Sequence, residues 1–354
     1  MTEKVLMKGN EALAEAAIQA GCRHFFGYPI TPQTELSAYM SKRMPKLGGT
    51  FLQAESEVAA INMVLGAAAA GVRAMTSSSS PGISLKSEGV SYIAGSDLPC
   101  VIINVQRGGP GLGGIQPSQA DYWQATKALG HGDFQLIVYA PSTVQEMVSM
   151  IFRAFDKADE YRVPAMILAD GMLGQMMEPV QFPEKAQTAK VEKPWASNGH
   201  GNKRAHNVVN SLYLKPHDLE AHIVERFARY DKIKASEVLV EDYYMEDAEY
   251  AVVAYGATAR IVKSAVKSAR EQGIKAGAIR PITLWPFPQK EIAEAAARVK
   301  KFLCVEMSMG QMVEDVRLAV NGARPVEFFG RTGGIIPTPA EVLEQIHKLT
   351  GGDR

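Results

Sequence analysis

Cysteine is scarce: Cys22, Cys100 and Cys304 are the only three among 354 residues, and they form no CxxC or Cys/His spacing. That excludes a disulfide scaffold and a complete iron–sulfur or zinc site built by this chain alone. Each thiol reads instead as a small buried apolar side chain. An excess of one charge is missing too, because 38 basic residues balance 38 acidic ones and neither sign forms a long run. Nucleic-acid and membrane-surface partners are thereby disfavoured. No apolar run is long enough to span a bilayer, and MTEKVLMKGNEALAEAA has no signal core, so a cytoplasmic protein is expected.

What is present is a 46% hydrophobic chain, enough for two domains of roughly 100–200 residues each. Asn10 is placed to cap a helix through EALAEAAIQA, closing at Gly21. HFFGYP reads as a short strand and elbow, and FLQAESEVAAINMVLGAAAAG as a largely buried helix. VRAMTSSSSPG is a strand running into a polar loop, LKSEGVSYIAGS a helix, and PCVIINVQR an apolar strand before the glycine-rich GGPGLGGIQPSQAD. QLIVYAP and PAMILAD flank the helix VQEMVSMIFRAFDKADE. Strands that are continuous apolar runs and alternate with helices predict a parallel sheet covered on both faces.

Past about Met177 the chain turns polar, then a charged helix, HDLEAHIVERFARYDKIKASE, precedes a second alternation from YAVVAYG to KFLCVEM. The predicted class is therefore α/β, with two parallel-sheet domains at residues 1–184 and 246–354. Residues 185–245 are the expected linker or insertion.

Three positions carry candidate chemistry. In GYPITPQTE, Pro29 and Pro32 make a stiff elbow, with Thr31 as N-cap and Pro32 opening the helix. Such an elbow is a plain strand-to-helix turn, or one that aims the Thr31 hydroxyl at an anion. Arg107 ends an apolar strand, where it needs either a salt bridge or an anionic ligand. Glu57 opens a helix of apolar and small residues; Glu55 suits solvent, whereas Glu57 faces elsewhere and is either a helix-start carboxylate or a functional one. GPGLGG fits GxGxxG, but Ile115-Gln116-Pro117 interrupts it and QLIVYAP ends without an acid, which argues against a dinucleotide site.

Taken together, YPITP, QAESE with GAAAAG, SSSSPG, VQRGGPGLGG with QPSQAD, ADGMLGQ, RPITLWPFP and VEMSMGQM resemble the alpha subunits of 2-oxoacid:ferredoxin oxidoreductases, in order over nearly the whole chain. The resemblance is to the type assigned to 2-oxoisovalerate (3-methyl-2-oxobutanoate). It implies a thiamine-diphosphate pyrimidine-binding domain followed by a transketolase C-terminal-like domain. Glu57 then corresponds to the glutamate that hydrogen-bonds a pyrimidine ring nitrogen. Thr31 matches the threonine on the 2-oxoacid carboxylate, Arg107 the arginine near it, and Tyr28 and Pro29 line that pocket. The implied reaction is oxidative decarboxylation, with electrons passing to ferredoxin and the acyl group to coenzyme A.

Relatives of this type hold the diphosphate through magnesium with a GDG motif, and the nearest match here is ADG at 169–171. No metal ligand is therefore expected in this chain. The resemblance instead implies a beta subunit with the diphosphate site, magnesium and a cluster, with gamma and ferredoxin-like delta subunits, and a chain inactive alone. The alternatives are a 2-oxoglutarate oxidoreductase alpha subunit, a transketolase-like transferase and a non-catalytic assembly subunit.

Overall fold

The computed structural model describes residues 4–183 and 191–351. Residues 185–190 of the expected linker lie outside the described residues. Strands and helices alternate from the start as β1 (Val5–Lys8), α1 (Gly9–Gln19), β2 (His24–Gly27), α2 (Thr34–Arg43), β3 (Thr50–Gln53) and α3 (Glu57–Ala69). There follow β4 (Ala74–Ser78), α4 (Ser80–Gly95), β5 (Cys100–Gln106), β6 (Ile137–Tyr139), α5 (Val144–Tyr161), β7 (Pro164–Asp170), α6 (Gly171–Gln175) and β8 (Met177–Val180). Next come α7 (Pro216–Ser236), β9 (Val240–Tyr243), β10 (Tyr250–Val253), α8 (Gly256–Glu271), β11 (Ala276–Pro281) and β12 (Thr283–Trp285). The remainder is α9 (Gln289–Ala296), β13 (Lys301–Glu306), α10 (Met312–Val320), β14 (Val326–Gly330) and α11 (Pro339–Leu349).

Besides the two-stranded antiparallel pair β1-β8, two larger sheets result, one ordered β12-β6-β7-β5-β4-β2-β3 and one β14-β13-β10-β11-β9. All pairings within these two are parallel except β12 with β6 and β9 with β11. β4, β5 and β7 are buried throughout. Their apolar runs feed two cores at once, because successive side chains point to opposite faces. Ile102 packs on the side of α3 and α4, while Val101, Ile103 and Val105 pack on the side of α1 and α5.

Several expectations need correction. Thr50–Gln53 is no helix: it pairs with β2 as the edge strand, and α3 starts only at Glu57, where the Ser56 hydroxyl accepts the Ala59 N–H at 3.2 Å. SSSSPG is not a loop, because α4 already begins at Ser80 with Pro81 in its first turn. Asn10 caps nothing; α1 starts at Gly9, and the Asn10 amide reaches across to the Pro32 carbonyl at 2.8 Å. Inside the expected linker, β9 joins the second sheet and α7 is clamped to the first unit by Asp97, which receives Arg226 at 3.0 Å and Arg229. β12, from RPITLWPFP, leaves the second unit's chain to extend the first unit's sheet. All three cysteines are buried. No helix among the described residues is long and apolar enough to cross a membrane.

Candidate active site

Parallel pairing places the ends of β2, β4, β5 and β7 along one edge of the first sheet, the edge at which open α/β sheets bind ligands. The elbow after β2 is fixed from three sides. Gln33, wholly buried, donates to the Tyr28 carbonyl at 3.2 Å and accepts from Ser77 Oγ at 2.6 Å. Asn10 holds the Pro32 carbonyl, and Arg107 Nη1 donates to the Thr31 carbonyl at 2.9 Å. The expected cap is displaced: α2 begins at Thr34 with Gln33 as its N-cap, so Thr31 and Pro32 sit ahead of the helix. Tyr28, Pro29 and the Thr31 side chain remain exposed at the rim.

Arg107 is only 7% exposed, yet it makes no salt bridge with any described residue. Its other terminal nitrogen donates to the Leu112 carbonyl at 3.3 Å, and its Nε is buried without a partner. The intramolecular salt bridge offered as its alternative is thus not formed among the described residues. Below it, Ser80 Oγ accepts the Arg107 N–H at 3.0 Å and donates to Asp121 Oδ2 at 2.6 Å. Burial raises the Asp121 pKa, against hydrogen bonds from Ser80 and Asn104 and the charge of Arg107.

Glu57 opens α3 at 5% exposure and makes no hydrogen bond or ion pair with a described residue; Glu55 is exposed. The α4 turn against it carries Gly82, whose missing side chain leaves room for the carboxylate. A Cβ on Gly82 would lie 2.1 Å from Ser78 Oγ and 2.6 Å from Glu57 Oε1. Ser80 and Gly82, two positions apart, therefore touch Arg107 and Glu57 respectively. Around them the hydroxyls of Thr76, Ser78 and Ser79 and the amine of Lys86 are buried with no hydrogen-bond partner. Each such group costs about 1–3 kcal/mol, so a cluster at a sheet's ligand edge marks a site completed by something else.

Lys86 went unmarked in the sequence, although Ile83, Lys86, Val90 and Ile93 are spaced i, i+3, i+7 and i+10 on one buried stripe of α4. Gln33 carries no comparable sequence signal. Other motif residues serve the framework. Asp170 Oδ1 accepts the Met172 and Leu173 N–H groups at 2.9 and 3.1 Å as the α6 cap, and burial raises its pKa to about 6. The Glu306 carboxylate caps α10 through Met312 at 3.0 Å and Val313 at 2.9 Å. Gln119 stitches the two units, donating to the Tyr255 carbonyl at 2.9 Å and accepting from Thr258 at 2.7 Å. A cleft of about 710 Å³ beside Trp285, Phe287 and Lys127 contains none of the candidate residues. Among the described residues no three His, Cys, Asp or Glu side chains converge as a metal site.

Residues 15–244 match the family described as "Pyruvate flavodoxin/ferredoxin oxidoreductase, thiamine diP-bdg", and residues 248–342 match "Pyruvate:ferredoxin oxidoreductase core domain II". The chain is 48% identical, over 98% of both chains, to the ketoisovalerate oxidoreductase subunit VorB of Methanothermobacter thermautotrophicus. It is 40% identical to the 2-oxoglutarate synthase subunit KorA of Methanothermobacter marburgensis, covering 98% of this chain and 99% of that one. Among solved structures, a 2-oxoglutarate:ferredoxin oxidoreductase from Magnetococcus marinus superposes with a TM-score of 0.88 at 27% identity; the match covers 98% of this chain and 65% of that one. A split-gene transketolase, at TM-score 0.62 and 15% identity, shares the fold. Sheet order, the orphaned polar edge and these matches agree, and the chain belongs to the family of 2-oxoacid:ferredoxin oxidoreductase subunits.

Proposed function

We propose that this chain supplies the aminopyrimidine half of a thiamine-diphosphate site, in a complex that oxidatively decarboxylates 3-methyl-2-oxobutanoate to an acyl-CoA and carbon dioxide and reduces ferredoxin. The observation that carries this reading is Glu57: a buried carboxylate at the ligand edge, with no hydrogen-bond partner among the described residues and unsatisfied hydroxyls beside it. That set fits a flat heterocycle with one ring nitrogen to be protonated and an exocyclic amine to be held. Bound there, thiamine diphosphate would supply nucleophilic chemistry towards a 2-oxoacid, with Glu57 as the residue holding its aminopyrimidine. Glu57 would share a proton with the ring nitrogen, the role a buried carboxyl group at this edge can fill.

Thr31 and Arg107 are assigned to the substrate carboxylate, and Tyr28 and Pro29 to the pocket wall. Arg107 already spends one arm on the elbow, which fixes the guanidinium before substrate arrives. Residues 109–116 form an exposed lobe over this edge, with Leu112 86% and Ile115 57% exposed and no lysine or arginine among them. Such a wall suits a branched apolar chain better than a distal carboxylate, and the VorB relatives support the same substrate. The second reading, 2-oxoglutarate, is favoured by the KorA relatives and by the Magnetococcus marinus structure.

The diphosphate, magnesium and iron–sulfur clusters are assigned to a beta subunit and its gamma and ferredoxin-like delta companions, in the cytoplasm. Burial pushes the Cys22 and Cys100 thiols up to about 12 and Cys304 well above its ordinary value, which makes them poor cluster ligands. The outward faces of α3 and α4 expose Val58, Leu85 and Tyr92 beside the site, a surface for that beta subunit. Domains at 1–184 and 246–354, with 185–245 between them, complete the reading. Turnover of both 2-oxoacids by the reconstituted complex tests it: preference for 3-methyl-2-oxobutanoate supports it, and preference for 2-oxoglutarate replaces the substrate.

A further inference from the structure

Lys86 is fully buried, and its amine has no hydrogen-bond partner among the described residues. It lies one helical turn beyond Gly82, the residue in contact with Glu57. Desolvation lowers its pKa to about 8, and the one charge opposing that shift is Glu57 on α3. The other polar groups on this side are the uncharged hydroxyls of Thr76 and Ser78 on β4. An amine that bonds to nothing adds no structural link, and a methionine of similar length would fill the same space without the cost of burying a charge. What the amine provides is its charge, held close to Glu57 in a region of low dielectric.

We propose that Lys86 is a positioning residue for the thiamine site, whose buried ammonium, one helical turn beyond Gly82, draws and orients the Glu57 carboxylate towards the ring nitrogen it bonds. This rests on the assignment of Glu57 made above. It predicts a basic limb in the pH dependence of cofactor binding, above about pH 8, as Lys86 loses its proton.

The test is the Kd of thiamine diphosphate for the assembled complex, by titration calorimetry from pH 5 to 10, for wild type, Lys86→Met and Lys86→Arg. Lys86→Met should weaken binding about tenfold at pH 7 and abolish the basic limb. Lys86→Arg should bind as wild type does without the basic limb, since arginine does not titrate there. A wild-type profile flat above pH 8, or a basic limb that persists in Lys86→Met, overturns the inference, and the wild-type limb needs no variant to fold. Glu57→Gln separates the two assignments: if it binds the cofactor like wild type, the Glu57 reading fails. If it binds poorly while Lys86→Met behaves as wild type, only the role of Lys86 fails.

Discussion

Arg107 and Thr31, 76 positions apart in the chain, are joined by a 2.9 Å hydrogen bond from the guanidinium to the backbone carbonyl. The bond ties the end of β5 to the elbow after β2 and leaves the Thr31 side chain free at the rim. Rigidity of the elbow is therefore shared among Arg107, Gln33 and Asn10, beyond what its two prolines provide.

Arg107→Lys keeps the charge but cannot reach both the Thr31 and Leu112 carbonyls in the same fork. A hydrogen bond to a charged group is worth about 1.5–3 kcal/mol, so kcat/KM for the 2-oxoacid should fall about 10- to 100-fold, mostly through KM. Steady-state kinetics of the assembled complex check this. A change below about twofold would mean that Arg107 only braces the loop.

Gly82→Ala places a methyl group against Ser78 Oγ and Glu57 Oε1. Overpacking of this kind costs about 1–3 kcal/mol, and the strain falls on the carboxylate. We expect a lower melting temperature together with cofactor affinity reduced tenfold or more. Loss of stability with unchanged affinity would separate Gly82 from the site.

Lys86 carries a penalty in the chain without cofactor. Its folded pKa of about 8 lies below the unfolded value near 10.5, so the unfolded chain binds more protons between these limits and stability rises with pH across them. Lys86→Met should therefore stabilise the cofactor-free chain at pH 7 by on the order of 3 kcal/mol. The gain should shrink from about pH 8 and vanish near 10.5. Urea unfolding at pH 7, 9 and 10.5 measures it, and a pH-independent difference would contradict the cause. Greater stability with weaker cofactor binding is the trade expected of a site residue.

Asp170 has the opposite sign. Its folded pKa of about 6 is raised from 3.8, so its neutral form favours the fold fully below pH 3.8, and that contribution is lost as pH rises through 6. Asp170→Asn retains an oxygen for the Met172 and Leu173 N–H groups. It should match or exceed wild-type stability at pH 7, losing that advantage towards pH 4. Magnesium dependence of the complex should be unchanged; a raised magnesium requirement would make ADG part of the metal site.

Much of the first sheet is legible in the sequence, because PCVIINVQR and PAMILAD are uninterrupted apolar runs and become the central β5 and β7. β3 is hidden because an exposed edge strand carries little hydrophobic pattern and abuts the alanine-rich helix. β12 is hidden because its three residues are strand only through pairing with β6, far away in sequence. Glu57 and Arg107 stand out as charges in apolar surroundings. The brace formed by Asn10, Gln33 and the Thr31 carbonyl is not visible, since amides and backbone oxygens give no periodic signal. The sequence reads Thr31 as a helix cap, a place the structure gives to Gln33, because the elbow runs two residues further before α2 begins.

Glu57→Gln, assembled with its partner subunits, is the decisive measurement, read as 2-oxoacid-dependent reduction of ferredoxin with cofactor occupancy checked in parallel. The account predicts a fall of about 100-fold or more with the assembly intact, because an amide cannot share the ring-nitrogen proton as a carboxyl group does. Reduction at the wild-type rate would contradict it.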